Sequence, residues 1–208
     1  MSKPTALFFD VGGVVLSNGW DRPARARAVE KFGLDPEEFD SRHELVVHTW
    51  EMGQIGLDEY LARTVFYRRR AFTHDEFEAF LFAQSELHAG TMAAVKRLAA
   101  TGRWLMATLN NESRELNEFR IRKFALREAF SIFLSSCYLG VRKPDEKIYR
   151  LALGITQREP AESVFIDDRE INLEAASRLG MRVVHYRDPE QLLADLARLG
   201  VRPDEKVS

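Results

Sequence analysis

The sequence predicts an α/β protein: a three-layer parallel sheet with an all-helical insert after the first strand. Three observations carry this. Apolar runs of strand length alternate with helical stretches from residue 91 onward, the segment from Asp21 to Glu86 is helical and charged throughout, and the first apolar run leads into an acid and a glycine pair. Strands separated by helices imply right-handed crossovers and hence parallel pairing.

In chain order, residues 5–16, which include LFFDVGGVV, read as a buried parallel strand broken by Gly12-Gly13. Helices follow near 24–31, 36–47, 57–70 and 74–85. Their starts are marked by Asp35-Pro36, by Asp58 after Gly56, and by Thr73 with Glu76 as a capping box. A helix over 91–100 ends at Gly102, and the strand 104–109 runs into Asn110-Asn111. A helix over 113–124, a strand over 131–135 and a helix over 144–153 opened by Pro144 come next. The strand 163–166 ends in Asp167-Asp168, and its helix reaches Leu179 before Gly180. The strand 182–186 and the helix 189–199 complete the pattern, leaving about six frayed C-terminal residues. The division is therefore a core of residues 1–17 and 87–208 with a helical insert of residues 18–86.

Composition narrows the function classes. The 208 residues are 45% hydrophobic, and 30 Lys and Arg face 32 Asp and Glu for a net charge of -2. That balance gives no reason to expect nucleic acid as a partner, and Arg68-Arg69-Arg70 reads as a solvated helix face. No apolar run reaches the length of a membrane span, so no membrane partner is expected. The single Cys137 rules out an intrachain disulfide framework and reads as a small core residue of a cytoplasmic protein. Trp20, Trp50, Phe66 and Phe82 read as the core of the insert, and His43, His48, His74 and His88 as surface or insert residues without metal-ligand spacing. Oligomeric state is not legible.

In a parallel sheet the ligand site lies beyond the carboxyl ends of the strands, where residues remote in sequence meet. Asp10, Asn110-Asn111 and Asp167-Asp168 all fall there, and Lys143 stands in the turn GVRKPD ahead of a helix. Taken singly, each has a plain reading: Asp168 as a helix cap, Asn110-Asn111 as a turn, Lys143 as a surface lysine. Together they describe one site. Clustered carboxylates repel and raise one another's pKa, which a cation relieves, and an all-oxygen donor set suits Mg²⁺. A lysine beside such a cluster fits a phosphate, and the amides of Val11-Gly12-Gly13 can approach it closely.

The order Asp10, Asn110-Asn111, Lys143-Pro144, Asp167-Asp168 resembles the four motifs of the haloacid dehalogenase superfamily, whose core is a Rossmann-like sheet. GVRKPDEKIY and FIDDREINLEAASRLGM carry the match, and residues 18–86 resemble the four-helix cap of its subfamily I. The resemblance implies a phosphatase acting on a small phosphorylated substrate, possessing the paired acids that dehalogenases of the superfamily lack. It implies Asp10 as nucleophile, Mg²⁺ held by Asp10, the carbonyl of Gly12, Asp168 and Asp167, and phosphate bound by Gly12, Gly13, Asn110, Asn111 and Lys143. Asn172 would orient the acids from behind.

Two positions depart from the pattern. The superfamily's first motif reads Asp-x-Asp, and the second acid, which protonates the leaving alcohol, is here Gly12. Its absence removes a contribution of about 10²- to 10⁴-fold. Asp21, Glu51 and His48 are candidate replacements. Asn110 stands where Ser or Thr is usual, with Thr108 as the other candidate for that place. An active phosphatase, with sugar phosphates among its candidate substrates, is the leading expectation. The alternatives are a phosphate- and metal-binding regulatory protein without turnover, and a 2-haloacid dehalogenase.

Overall fold

Five strands, β1 (Ala6–Phe9), β2 (Leu105–Asn110), β3 (Ile132–Ser135), β4 (Ser163–Asp167) and β5 (Arg182–His185), pair in parallel in the order β3-β2-β1-β4-β5. The coordinates are a computed structural model and describe residues 2–203, so the expectation for the last few residues lies outside the described residues. Both faces of the sheet are covered, which is why the strands are apolar without alternation. Leu7 and Phe9 point into a cluster with α5 (Ala89–Ala100) and α10 (Pro189–Arg198). Ala6 and Phe8 point into another with α8 (Glu146–Thr156) and α9 (Glu170–Arg178). The chain moves from β1 to β2 and β3, then returns past β1 to β4 and β5. The carboxyl ends of β1 and β4 thus flank the switch point where a crevice opens.

Four helices, α1 (Arg22–Phe32), α2 (Pro36–Glu51), α3 (Leu57–Thr64) and α4 (His74–Ala83), enclose a third apolar cluster. Trp20, Phe39, Trp50, Tyr60, Phe77 and Leu81 fill it, and Leu116 of α6 (Arg114–Lys123) is also part of it. Asp35 caps α2 through the Glu38 amide, and Thr73 and Glu76 form the reciprocal capping box of α4. The two connections to the sheet are zipped together: Ser17 N–H donates to the Glu86 carbonyl, and Ser17 Oγ donates to the Gln84 carbonyl and accepts the Glu86 N–H.

Several elements differ from expectation. The first strand ends at Phe9, because residues 11–16 fold back as a tight loop: Val15 and Leu16 N–H donate to the Val11 carbonyl, and Gly13 takes a φ of 77°. Helix α3 stops at Thr64 rather than 70. Beyond it Arg70 Nε donates to the Val65 carbonyl, Arg68 pairs with Glu38, and Arg42 stacks 3.5 Å from the Tyr67 ring centre, so the arginine run is a packed loop and not a helix face. Pro144 does not open α8. It follows a cis peptide bond, and Asp145 is the cap. Asp168 caps nothing, since the residue before α9 is Arg169. The short helix α7 (Ser136–Leu139), ended by Gly140 at φ 65°, was too brief to leave a periodic signal.

Candidate active site

Asp10 follows β1 directly, and its backbone N–H still donates to Ile166 on β4, which fixes where its side chain leaves the sheet. Asp10 Oδ1 accepts the Val11 N–H at 2.7 Å and lies 2.9 Å from Lys143 Nζ. The same ammonium lies 2.7 Å from Asp167 Oδ2. Asp167 has no exposed surface and is fully engaged: Asn172 Nδ2 donates to Oδ1 and Oδ2 at 3.0 and 3.1 Å, and the Arg169 N–H donates to Oδ1. Lys143 is held in turn by Asn111, whose amide donates to its carbonyl and accepts its N–H. Asn111 therefore spends its side chain on placing the lysine.

Electrostatics follow from burial. Burial drives the Asp10 pKa up and the Lys143 charge opposes it, leaving the acid above the usual carboxylate range. Burial alone would lower Lys143, but Asp10 and Asp167 hold it above its ordinary value. Asp168 is raised by burial and then by the charge of Asp167, and its Oδ1 is buried without a hydrogen-bond partner. Asp10, Asp167 and Asp168 each offer a carboxylate oxygen within 4.8 Å of the others. A Cβ on Gly13 would stand 2.2 Å from Asp168 Oδ2, so only glycine leaves that carboxylate room. Three hard oxygen donors with one orphaned oxygen fit a divalent cation of the Mg²⁺ type.

These groups open onto a cavity of about 420 Å³ between the sheet and α2. Asp10, Gly12, Lys143, Asp168 and Asn172 form its floor, and Trp20, Asp21, His43, His48, Trp50 and Glu51 line the opposite side. Trp20 and Trp50, read as core, are buried in the helical cluster and line the cavity as well. Trp20 Nε1 donates to Tyr60 Oη, which is also hydrogen-bonded to His43 Nδ1, 2.8 Å away. Burial pushes the His43 pKa down to about 3, which keeps it a neutral imidazole. Asn110 sits behind the cavity: its Nδ2 donates to Asn117 Oδ1 at 3.3 Å, while its own Oδ1 and Asn117 Nδ2 have no partner. Turning over both amides reverses that bond and leaves the Asn110 NH₂ free. Thr108, the other candidate for that place, is fully buried within β2.

The sequence reading missed Glu112 and Arg120, which also line the cavity. Arg120 is buried and ion-paired to Glu112, and donates to Ser85 Oγ at 3.0 Å and to the Ser17 carbonyl at 3.1 Å. The position of Glu112, an acid directly after the asparagines at a strand end, was the available signal. Gly19 (φ 72°) makes room for the guanidinium, because a Cβ there would fall 1.7 Å from Arg120 Nη2. Gly19→Ala is expected to lose about 2 kcal/mol or more, from left-handed strain plus displacement of a pinned buried charge. A denaturant melt checks this, and an unchanged midpoint would refute it.

The family pattern described as haloacid dehalogenase-like hydrolase matches residues 4–180. The chain is 28% identical over 200 residues to flavin mononucleotide hydrolase 1 of Arabidopsis thaliana, covering 96% of this chain and 79% of that one. It is 38% identical over 74 residues to bifunctional epoxide hydrolase 2 of Sus scrofa, but that match spans 36% of this chain and only 13% of the relative. In fold it resembles HAD family enzyme bt-2542 of Bacteroides thetaiotaomicron, with a TM-score of 0.77 and 20% identity over 89% of this chain and 95% of that one. The structure of that enzyme in complex with magnesium and inorganic phosphate superposes with a TM-score of 0.73 at 19% identity, covering 88% and 94%. The pattern spans most of the sheet and its strand-end acids, and on that match the chain belongs to the haloacid dehalogenase-like hydrolase family.

Proposed function

We propose that this hydrolase is a Mg²⁺-dependent phosphatase acting on a small phosphorylated metabolite, a sugar phosphate or flavin mononucleotide among the candidates. The observation that carries the reading is the cluster of buried Asp10, Lys143 and Asp167 with half-buried Asp168, of which Asp10, Lys143 and Asp168 line a cavity of about 420 Å³. The Arabidopsis relative named as a flavin mononucleotide hydrolase and the bt-2542 complex with magnesium and phosphate support it.

Asp10, Asp168 and the Gly12 carbonyl would hold Mg²⁺, with Asp167 behind them, and the ion would offset charge on the phosphate oxygens. Lys143, fixed by Asn111 and by two carboxylates, adds a second positive charge on the same side. Asp10 attacks phosphorus to form an aspartyl-phosphate, which water then opens. Asn172 keeps Asp167 oriented, and Asn110 with the Gly12 amide would bind a phosphate oxygen, whereas the Gly13 N–H, also expected there, is spent on the Leu16 carbonyl. The helical unit of residues 18–86 serves as a cap that closes over the substrate and selects it. The intact Asp167-Asp168 pair argues against haloacid chemistry.

With Mg²⁺ present, the protein is expected to turn over p-nitrophenyl phosphate and at least one member of a panel of sugar phosphates and flavin mononucleotide, and EDTA should abolish that turnover. No phosphate release from any of them would overturn the proposal, and tight phosphate binding without release would point to the regulatory alternative.

A further inference from the structure

The departure at Gly12 leaves the reaction without its usual proton donor, and the structure shows what stands in the vacated space. A Cβ on Gly12 would lie 3.1 Å from Asn18 Oδ1 and 3.9 Å from Arg120 Nη1. Arg120 Nη1 is bonded to Glu112 Oε2. Asn18 thus bounds the space the first-motif side chain would take, and just beyond it lies a guanidinium carrying a carboxyl group from the end of β2, in the same cavity as Asp10. The placement is built: Gly19 clears the guanidinium, Ser17 and Ser85 anchor it, and Ser136 Oγ accepts the Glu112 backbone N–H at 3.0 Å.

We propose that Glu112 is the general acid and base of this hydrolase, with Arg120 as the residue that positions it. The assignment rests on the phosphatase reading. In the first step an Asp10 oxygen bonds to phosphorus, the bond from phosphorus to the leaving oxygen breaks, and the Glu112 carboxyl gives that oxygen its proton. In the second step Glu112, now a carboxylate, takes a proton from water as the water oxygen bonds to phosphorus. The bond between phosphorus and Asp10 breaks, releasing phosphate and restoring both acids. Of the other candidates, His48 lines the cavity wall on α2, and the two acids are committed elsewhere. Asp21 Oδ1 caps α1 through the Ala24 amide, and Glu51 is ion-paired with Arg142 at 2.5 Å.

The charged neighbours of Glu112 are Arg120 on α6 and Glu51 on α2, with Arg142 paired to Glu51. Burial dominates over Arg120 and pushes the Glu112 pKa up to about 7, which keeps both protonation states accessible near neutrality.

Glu112→Gln keeps the shape and an oxygen for Arg120. With Mg²⁺, its kcat on an alkyl or sugar phosphate is expected to fall about 10²- to 10⁴-fold. On p-nitrophenyl phosphate, whose leaving group needs no acid, it should give a burst near one nitrophenol per active site followed by slow turnover. Gly12→Asp, which places an acid at the family's usual position, should restore at least tenfold of the activity lost in Glu112→Gln and add less than that to the wild type. Wild-type kinetics in Glu112→Gln, or an equal gain from Gly12→Asp in both backgrounds, would overturn the assignment while leaving the phosphatase reading intact. A wild type inactive on every phosphate ester would overturn both. If Glu112→Gln fails to fold, Glu112→Asp, which keeps the charge but withdraws the carboxyl, serves instead: a kcat on a sugar phosphate lowered at least tenfold upholds the assignment, and wild-type kinetics overturn it.

Discussion

Asp10→Asn is expected to reduce turnover by about 10⁴-fold or more, because an amide oxygen cannot form the aspartyl-phosphate that divides the displacement into two steps. The substitution should leave the fold intact. The amide oxygen that it introduces can still accept the Val11 N–H, and Lys143 keeps its 2.7 Å contact with Asp167. Because burial raises the Asp10 pKa, its ionised form is a destabilising element of the folded protein, and a neutral amide avoids that desolvation. A melting midpoint equal to or above that of the wild type in EDTA, together with lost turnover in Mg²⁺, is the expected pair of results. Retained turnover would remove Asp10 from the reaction.

Lys143→Met is expected to have the largest effect on stability. The ammonium is buried and is the only cation within 3 Å of Asp10 and Asp167 among the described residues. Removing it leaves two buried carboxylates facing each other, at a cost of about 3–5 kcal/mol. The sign of the pH dependence follows from Asp10, already raised by burial with Lys143 opposing. Without the lysine its folded-state pKa rises further above the unfolded value of about 4. The folded variant then binds more protons than the unfolded chain above that pH, so its stability falls as pH rises and recovers toward about pH 4. Mg²⁺ should recover part of the deficit at neutral pH by binding only the folded state. Urea melts at several pH values, with and without Mg²⁺, measure this. A deficit independent of pH would mean that the lysine acts through packing alone.

The sheet was legible because each strand is a short apolar run between helix signals, and the strand-end acids because parallel topology gives their positions a common meaning. Tertiary override explains the rest. Val14, Val15 and Leu16 are as apolar as a strand yet are fully buried in a loop, since Gly13 turns the chain back on itself. The helix expected to reach residue 70 ends at Thr64 because the Val65 carbonyl bonds Arg70 and Tyr67 gathers arginines around its ring. Glu112 and Arg120 were overlooked for a different reason. Their meaning depends on what occupies the space beside Gly12, and an absent side chain says nothing in sequence about its replacement. Asn111, expected to touch phosphate, is spent on the backbone of Lys143, a pairing across 32 residues that no local pattern signals.

The zipped pair of connections at Ser17 and Glu86 bears on how such a chain can change over generations. Along the chain, the sheet joins the intervening helices at two neighbouring crossings held by hydrogen bonds between Ser17, Gln84 and Glu86. A frame entered and left at one point tolerates replacement of whatever lies between, so the aromatic wall contributed by Trp20, His43 and Trp50 can diverge without disturbing β1 or Asp10. Arg120 limits that freedom, since it grips Ser17 and Ser85 while holding Glu112. Any newly acquired helical unit would have to satisfy that guanidinium, which makes inheritance of a new specificity conditional on one buried cation.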